Sequence, residues 1–296
     1  DTKLRVQLLQ GLIALQADVS AYLSEEALLA EIAPVMAKKR PKAMEWLAWE
    51  EMPALQWQDG RPVSPELLEG WLRLSMQMKE ANGEGMWQIY LGLLDAPSQD
   101  ALGLFALKQF VSEDLRPMTD AELNELIDKE VPKKLKKFQK DYEQYPNYYS
   151  EYKDITEEQV RAKLVEELGR YNDKQTALPH KGLLALTGAV AADEWYRTFR
   201  RYQRDFAYKT KQLGALIQAA AAGDNASVLP LIASLDVKAS GNYIRTLSRA
   251  TIAEYQERHE WTDEQIADYV VPAFGMDAYS RLSLSYGERA FVLRLH

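Results

Sequence analysis

Ala185-Leu186-Thr187-Gly188-Ala189-Val190-Ala191-Ala192-Asp193 returns, 31 positions on, as Leu216-Ile217-Gln218-Ala219-Ala220-Ala221-Ala222-Gly223-Asp224. Both runs read as the small-residue end of a helix leading into an Asp-containing turn. Each is followed by an amphipathic stretch, near Glu194–Ala207 and Ala226–Leu235, so the repeating unit is a helix pair. Alanines and glycines let neighbouring helices approach closely, and stacked pairs bury faces that one pair leaves wet. The predicted class is all-α, with HEAT/armadillo-like stacked helical pairs forming an α-solenoid. Two similar Ala-rich helices in an irregular bundle are the plainer alternative.

Helix starts can be read along the rest of the chain. Ser24 precedes Glu25-Glu26, and Ser64-Pro65-Glu66 places a capping hydroxyl before a proline at the first helical position. Thr119-Asp120-Ala121-Glu122, Thr156-Glu157-Glu158-Gln159 and Thr262-Asp263-Glu264-Gln265 fit the capping box, where hydroxyl and carboxylate or amide satisfy free N–H groups reciprocally. Two places break the helical pattern. Leu55-Gln56-Trp57-Gln58-Asp59-Gly60-Arg61-Pro62-Val63 alternates around Asp-Gly, which predicts a short hairpin or extended loop. Leu282, Leu284 and Tyr286, then Phe291, Leu293 and Leu295, alternate around Gly287-Glu288, a short C-terminal β-hairpin. Such a hairpin rarely stands alone, so more strands are expected beyond it, or packing against the last helices.

Between Glu113 and Lys174 charge becomes dense, and Tyr142, Tyr145, Tyr148, Tyr149 and Tyr152 surround Pro146-Asn147. Leu123, Ile127, Val131, Leu135, Phe138 and Tyr142 keep three-to-four spacing. This predicts a long amphipathic helix, kinked or split at Pro132, then a Tyr-rich turn, then a helix from Glu157 to about Arg170. An inserted helical hairpin fits better than a linker, which would carry no periodic apolar face. The expected organisation is an N-terminal helical region over 1–112 with the extended segment near 55–63, the insertion over 113–178, HEAT-like repeats over 179–270, and a hairpin over 271–296 leading to an absent domain.

Composition narrows the chemistry. The chain has 296 residues, 36 Lys+Arg against 44 Asp+Glu for a net charge of −8, 47% hydrophobic residues, no cysteine and three histidines. That apolar content excludes wholesale disorder. Without cysteine there are no disulfides, thiolate nucleophiles, iron–sulfur ligands or Cys-based zinc sites. The longest apolar stretches, near Ala101–Leu107 and Gly182–Ala192, are too short to span a bilayer, which takes about 20 residues. Asp1-Thr2-Lys3 opens directly into a helical pattern with no secretory signal, and an Asp rather than a Met at the start suggests a fragment or processed product.

Catalytic motifs fail on inspection. His259-Glu260-Trp261-Thr262-Asp263 has Asp263 where a zinc-protease helix needs its second histidine, so His259 is expected at the surface ahead of a capping box. His180 is expected at a helix start. Gly83-Glu84-Gly85 has Gln88 where a dinucleotide loop wants glycine, and no phosphate-loop lysine or nucleophile elbow occurs. No catalytic residue, metal ligand or cofactor is therefore expected, and the chain is not read as an enzyme.

Two basic features remain. Lys129, Lys133, Lys134, Lys136, Lys137 and Lys140 crowd one helix beside the tyrosines; Lys133, Lys137 and Lys140 with Tyr148 could grip phosphates and stack bases. In the second, Arg197, Arg200, Arg201, Arg204, Lys209 and Lys211 follow one another while Trp195, Phe199, Tyr202 and Phe206 face the core. That leaves Arg197, Arg201, Arg204 and Lys211 as a stripe on another face. Such faces suit nucleic acid or an acidic protein, although a solvated surface balanced by acids such as Asp205 and Glu143 is the plainer and favoured reading. Molybdate or another oxyanion could also sit on Arg197 or Arg201, or at a helix N-terminus.

A family resemblance adds to this. Trp261-Thr262-Asp263-Glu264-Gln265-Ile266-Ala267-Asp268, then Val271-Pro272-Ala273-Phe274-Gly275-Met276-Asp277, then Leu284-Ser285-Tyr286-Gly287-Glu288-Arg289-Ala290-Phe291 resembles a stretch of molybdate metabolism regulator-like bacterial proteins. Leu55–Pro62 with Pro65-Glu66 resembles an earlier region of the same family. Ile266 and Tyr269 replace the family's usual Leu and Arg, and the Trp-Gly-Arg module that often accompanies these proteins is absent. The resemblance implies a HEAT-like region within a large cytoplasmic multidomain protein and transfers no catalytic or molybdate-binding residue. The expected function is a non-enzymatic scaffold for a protein partner, with nucleic-acid binding as the alternative, an oxyanion sensor or uncharacterised enzyme as a third reading, and no membrane partner.

Overall fold

The computed structural model describes residues 2–82, 85–169, 176–223, 225–238, 241–270, 281–286 and 289–294. The chain is mostly helical and all-α in class. It divides into two compact units, one of residues Asp1–Val111 with Ala177–His296, here the body, and one of Ser112–Thr176, the hairpin unit.

The body opens with α1 (Thr2–Ala14), α2 (Ser20–Leu23), α3 (Glu25–Met36), α4 (Pro65–Gln77), α5 (Met86–Leu91) and α6 (Ala96–Leu115), the last running on into the hairpin unit. Ser24 caps α3 by accepting from the Ala27 N–H, and Ser64 caps α4 by accepting from the Leu67 N–H. Leu55–Val63 forms a tight loop: the Trp57 N–H donates to the Arg61 carbonyl, Gly60 takes φ 82°, and Gln56 bridges Pro62. Trp57 also bridges Leu94, a contact invisible in the local pattern. Around α4 an aromatic core forms, with buried Trp71 stacked on Tyr90 at 5.7 Å and edge-on to Trp57 and Trp87, each at 6.1 Å. Buried Arg73 donates to the Val35 and Lys38 carbonyls at the end of α3, and also pairs with Glu69. It thereby supplies donors where the helix lacks them.

In the hairpin unit α7 (Asp120–Gln144) and α8 (Glu157–Gly169) pack on each other. Their core is Ile127, Val131, Ile155, Val160, Leu164 and Leu168. α7 continues through Pro132 rather than splitting there. Buried Ile127 and Val131 on one side of the proline, with Leu135 and Phe138 on the other, hold both halves of the helix to one core.

Back in the body, Leu178–Thr187 is a 3₁₀ segment with His180 at non-helical angles, so the first of the two small-residue runs is not the end of an α-helix. A Cβ on Gly182 would run into the Ser75 carbonyl and lie 2.7 Å from the Met78 carbonyl oxygen. This close approach to the end of α4 fixes the path of the segment. Then come α9 (Ala192–Asp205), α10 (Thr210–Ala222), α11 (Leu229–Lys238), α12 (Asn242–Arg258) and α13 (Asp263–Val270). α3 packs on α4, α4 on the 3₁₀ segment, that segment on α10, α10 on α12, and α12 on α11. The two small-residue runs meet where a Cβ on Gly223 would strike the Gly188 carbonyl. Strands β1 (Arg281–Tyr286) and β2 (Arg289–Arg294) pair antiparallel, with Arg281 opposite Arg294 and Tyr286 opposite Arg289. Residues 287–288 and the Val271–Asp277 part of the family-like stretch lie outside the described residues.

Candidate functional site

The lysine helix α7 begins at a complete capping box. The Thr119 hydroxyl accepts from the Glu122 N–H at 3.3 Å, while the Glu122 carboxylate accepts from the Thr119 N–H at 2.9 Å. Arg116 ties the carboxylates of Glu113 and Glu122 together. Its guanidinium, with the capping bonds, holds the Glu122 carboxyl down at about 2. At 100° per residue, Ile127, Val131, Leu135 and Phe138 share one face, and Lys129, Lys133, Lys136, Lys137 and Lys140 centre on the opposite one. The core contact on α8 therefore turns the lysines to solvent.

Those lysines differ in their partners. Lys129 pairs with Glu125, Lys133 with Glu130 and Lys134 with Glu167. Lys136, Lys137 and Lys140 are exposed and, among the described residues, make no ion pair. No acid interrupts Lys133–Lys140, and Asp141 and Glu143 follow it. Beyond the last turn, Tyr145 and Tyr148 are exposed, Tyr148 at 78%. Tyr148 is not loose: it meets Tyr149 edge-on at 4.8 Å, Tyr149 stacks on Tyr152 at 5.6 Å, and Tyr152 stacks on Phe138 at 4.2 Å. Lys163 lies over both Phe138 and Tyr152. The aromatic series runs from the hairpin core to its tip. Lys133, Lys137 and Lys140 thus share a face of α7, with Tyr148 past its end. Lys136 lies on the same face, and Tyr145 and the supporting Tyr149 lie past the end of the helix beside Tyr148; the sequence signal for the lysines was the acid-free run Lys133–Lys140, which Asp141 and Glu143 separate from Tyr145.

On α9 the core face is as expected: Trp195, Phe199 and Tyr202 are buried, and Phe206 is half-buried at the cap. Arg197, Arg201 and Arg204 are exposed, and Lys211 is exposed on α10. The arginines are mostly engaged by their own helix. Arg197 pairs with Glu194 at 2.7 Å, Arg204 grips both oxygens of Asp205, and Arg200 meets the Tyr196 hydroxyl at 3.1 Å. The Arg204 guanidinium pulls the Asp205 carboxyl below its usual range, with the Arg201 charge adding to it. Lys209 is buried at the start of α10, so it belongs to no exposed stripe.

Two other places could hold chemistry. A cleft of about 180 Å³ is lined by Trp87, Gln88, Gln99, Gly188, Ala222 and Gly223 among others. Gln88 and Gln99 spend their amide donors on the Ala222 and Leu94 carbonyls, which leaves it without an acid, a base or a nucleophile. His259 is half-buried and stacked on Tyr255 at 4.3 Å and beside Trp261 at 5.6 Å, rather than lying at the surface. The turn after α12 folds Trp261 back over the ring, an arrangement helix periodicity could not foretell. Among the described residues no three His, Asp or Glu side chains cluster as metal ligands, and no helix is long and apolar enough to cross a membrane. Comparison with protein-family models, curated proteins and solved structures found no match.

Proposed function

We propose that the chain is a non-enzymatic interaction region that docks a polyanionic partner on the lysine face of α7. One observation carries this reading: Lys136, Lys137 and Lys140 stand exposed without carboxylate partners, whereas Arg197 and Arg204 of α9 are already occupied by Glu194 and Asp205. Three cations spread over about 6 Å of helix axis suit an extended row of negative charge better than a single oxyanion. An acidic protein surface, the partner class favoured by the sequence, and a nucleic acid both supply such a row.

The body is the scaffold in this proposal, stacked in a HEAT-like solenoid that the C-terminal hairpin follows in sequence. The succession of packed neighbours from α3 to α11 and the Gly188–Gly223 approach support stacking. The motifs at Trp261–Asp268 and Leu284–Phe291 support membership of the molybdate metabolism regulator-like group and a place within a larger cytoplasmic protein. The test is a titration of poly-L-glutamate and of a labelled oligonucleotide at two salt concentrations, using the parent chain and its K136E/K137E/K140E variant. Salt-sensitive binding that the variant loses is expected; absence of binding to both polyanions at low salt refutes the proposal.

A further inference from the structure

Resting on that polyanion reading, we infer that the hairpin unit binds single-stranded nucleic acid, with Lys136, Lys137 and Lys140 on the phosphates and Tyr148 stacking on a base. Tyr148 is 78% exposed at the tip of the hairpin. An exposed tyrosine usually gains nothing by being held in place. This one is braced edge-on by Tyr149, and the brace continues through Tyr152 to Phe138, which packs against the core. A T-shaped contact uses one ring's edge against the other's face, so Tyr148 is positioned without being covered. A ring fixed beforehand loses little freedom when a flat partner stacks on it.

The flat partner has to be negatively charged, because the lysine face runs into the same end of α7. Lys140 lies one turn before Gln144, whose amide donates to the Tyr145 hydroxyl at 3.1 Å, and the Tyr148 N–H donates to the Tyr145 carbonyl at 3.0 Å; Asp141 and Glu143 lie between Lys140 and Tyr145 in the chain. Glutamate side chains on an acidic protein would satisfy the lysines and leave the ring idle. A duplex would satisfy the lysines too, but its bases are stacked on one another and closed to the tyrosine. A single strand offers both phosphates and free base faces. Stacking on a ring and contacts to phosphates discriminate little between bases, so little sequence preference is expected.

The experiment measures fluorescence anisotropy of a labelled oligothymidylate and of its duplex form, with poly-L-glutamate as competitor, for the parent chain and for Y148A, Y148F and K136E/K137E/K140E. Tyr148 is exposed, so both of its variants retain the fold, which circular dichroism verifies. Y148A is expected to weaken oligothymidylate binding about tenfold, within the range of one lost base stack, while Y148F keeps it and poly-L-glutamate binding is unchanged. Single strand bound no better than duplex, or a Y148A variant that binds like the parent, overturns this inference and leaves the polyanion reading standing. Failure of every polyanion to bind, or binding indifferent to the lysine reversal, overturns both.

Discussion

In the body, backbone meets backbone. A Cβ on Gly182 would enter the Ser75 carbonyl, and one on Gly223 the Gly188 carbonyl. In the hairpin unit α7 and α8 meet through branched side chains around six buried residues. The first kind of contact is unforgiving and local to a few atoms, while the second is spread and adjustable. The difference predicts where each unit breaks. Gly182→Ala forces the 3₁₀ segment off α4 and is expected to cost about 3 kcal/mol, the upper end of overpacking, read as a lower denaturant midpoint. A variant as stable as the parent would show that this approach is not tight.

Within the hairpin, Val160→Ala removes two methyls at a fully buried position and is expected to cost about 2 kcal/mol. Amide exchange should quicken in α7 and α8 and stay unchanged in α4 and α10; equal quickening in all four would dissolve the distinction between the units. Smaller still is the cap. Glu122→Ala loses the capping carboxylate and is expected to cost about 1 kcal/mol. The Glu122 carboxyl is depressed from its ordinary 4.5 to about 2 by Arg116 and the Thr119 cap. Its contribution is therefore fully present above pH 4.5 and is lost as pH falls from there through 2. Exchange in the first turn of α7 should quicken over that window in the parent and show no such step in Glu122→Ala.

Local signals account for what was legible. The boxes at Thr119, Thr156 and Thr262 all close reciprocally, with Gln159 and Gln265 returning to the Thr156 and Thr262 N–H groups at 3.0 and 2.8 Å. Each needs only four residues, so the pattern is contained in the sequence itself. The buried face of α9, Trp195, Phe199 and Tyr202, follows from one helix period. What escaped depends on distant partners. The 3₁₀ path of Leu178–Thr187 is set by the end of α4, more than a hundred residues earlier, and the Trp71 aromatic core gathers from three separate stretches. Candidate site residues were half legible. Spacing located Lys133, Lys137, Lys140, Arg197, Arg201 and Arg204 on faces, but whether a cation is already paired depends on rotamers of its neighbours.

That last point gives the smallest effect and the sharpest contrast between the units. Lys133 and Lys137, and Lys136 and Lys140, are like charges four residues apart, and such pairs destabilise a helix by a few tenths of a kcal/mol each. Replacing Lys136, Lys137 and Lys140 with Gln should therefore stabilise the hairpin slightly, more at low salt than at high. Arg197→Gln in the body should do the reverse, since it breaks a favourable pair with Glu194. Thermal melts at two salt concentrations would separate the two signs. If removing the lysines destabilised the hairpin instead, they would be serving the fold; if it stabilises, the face is retained at a cost to stability, which is what a surface kept for a partner requires.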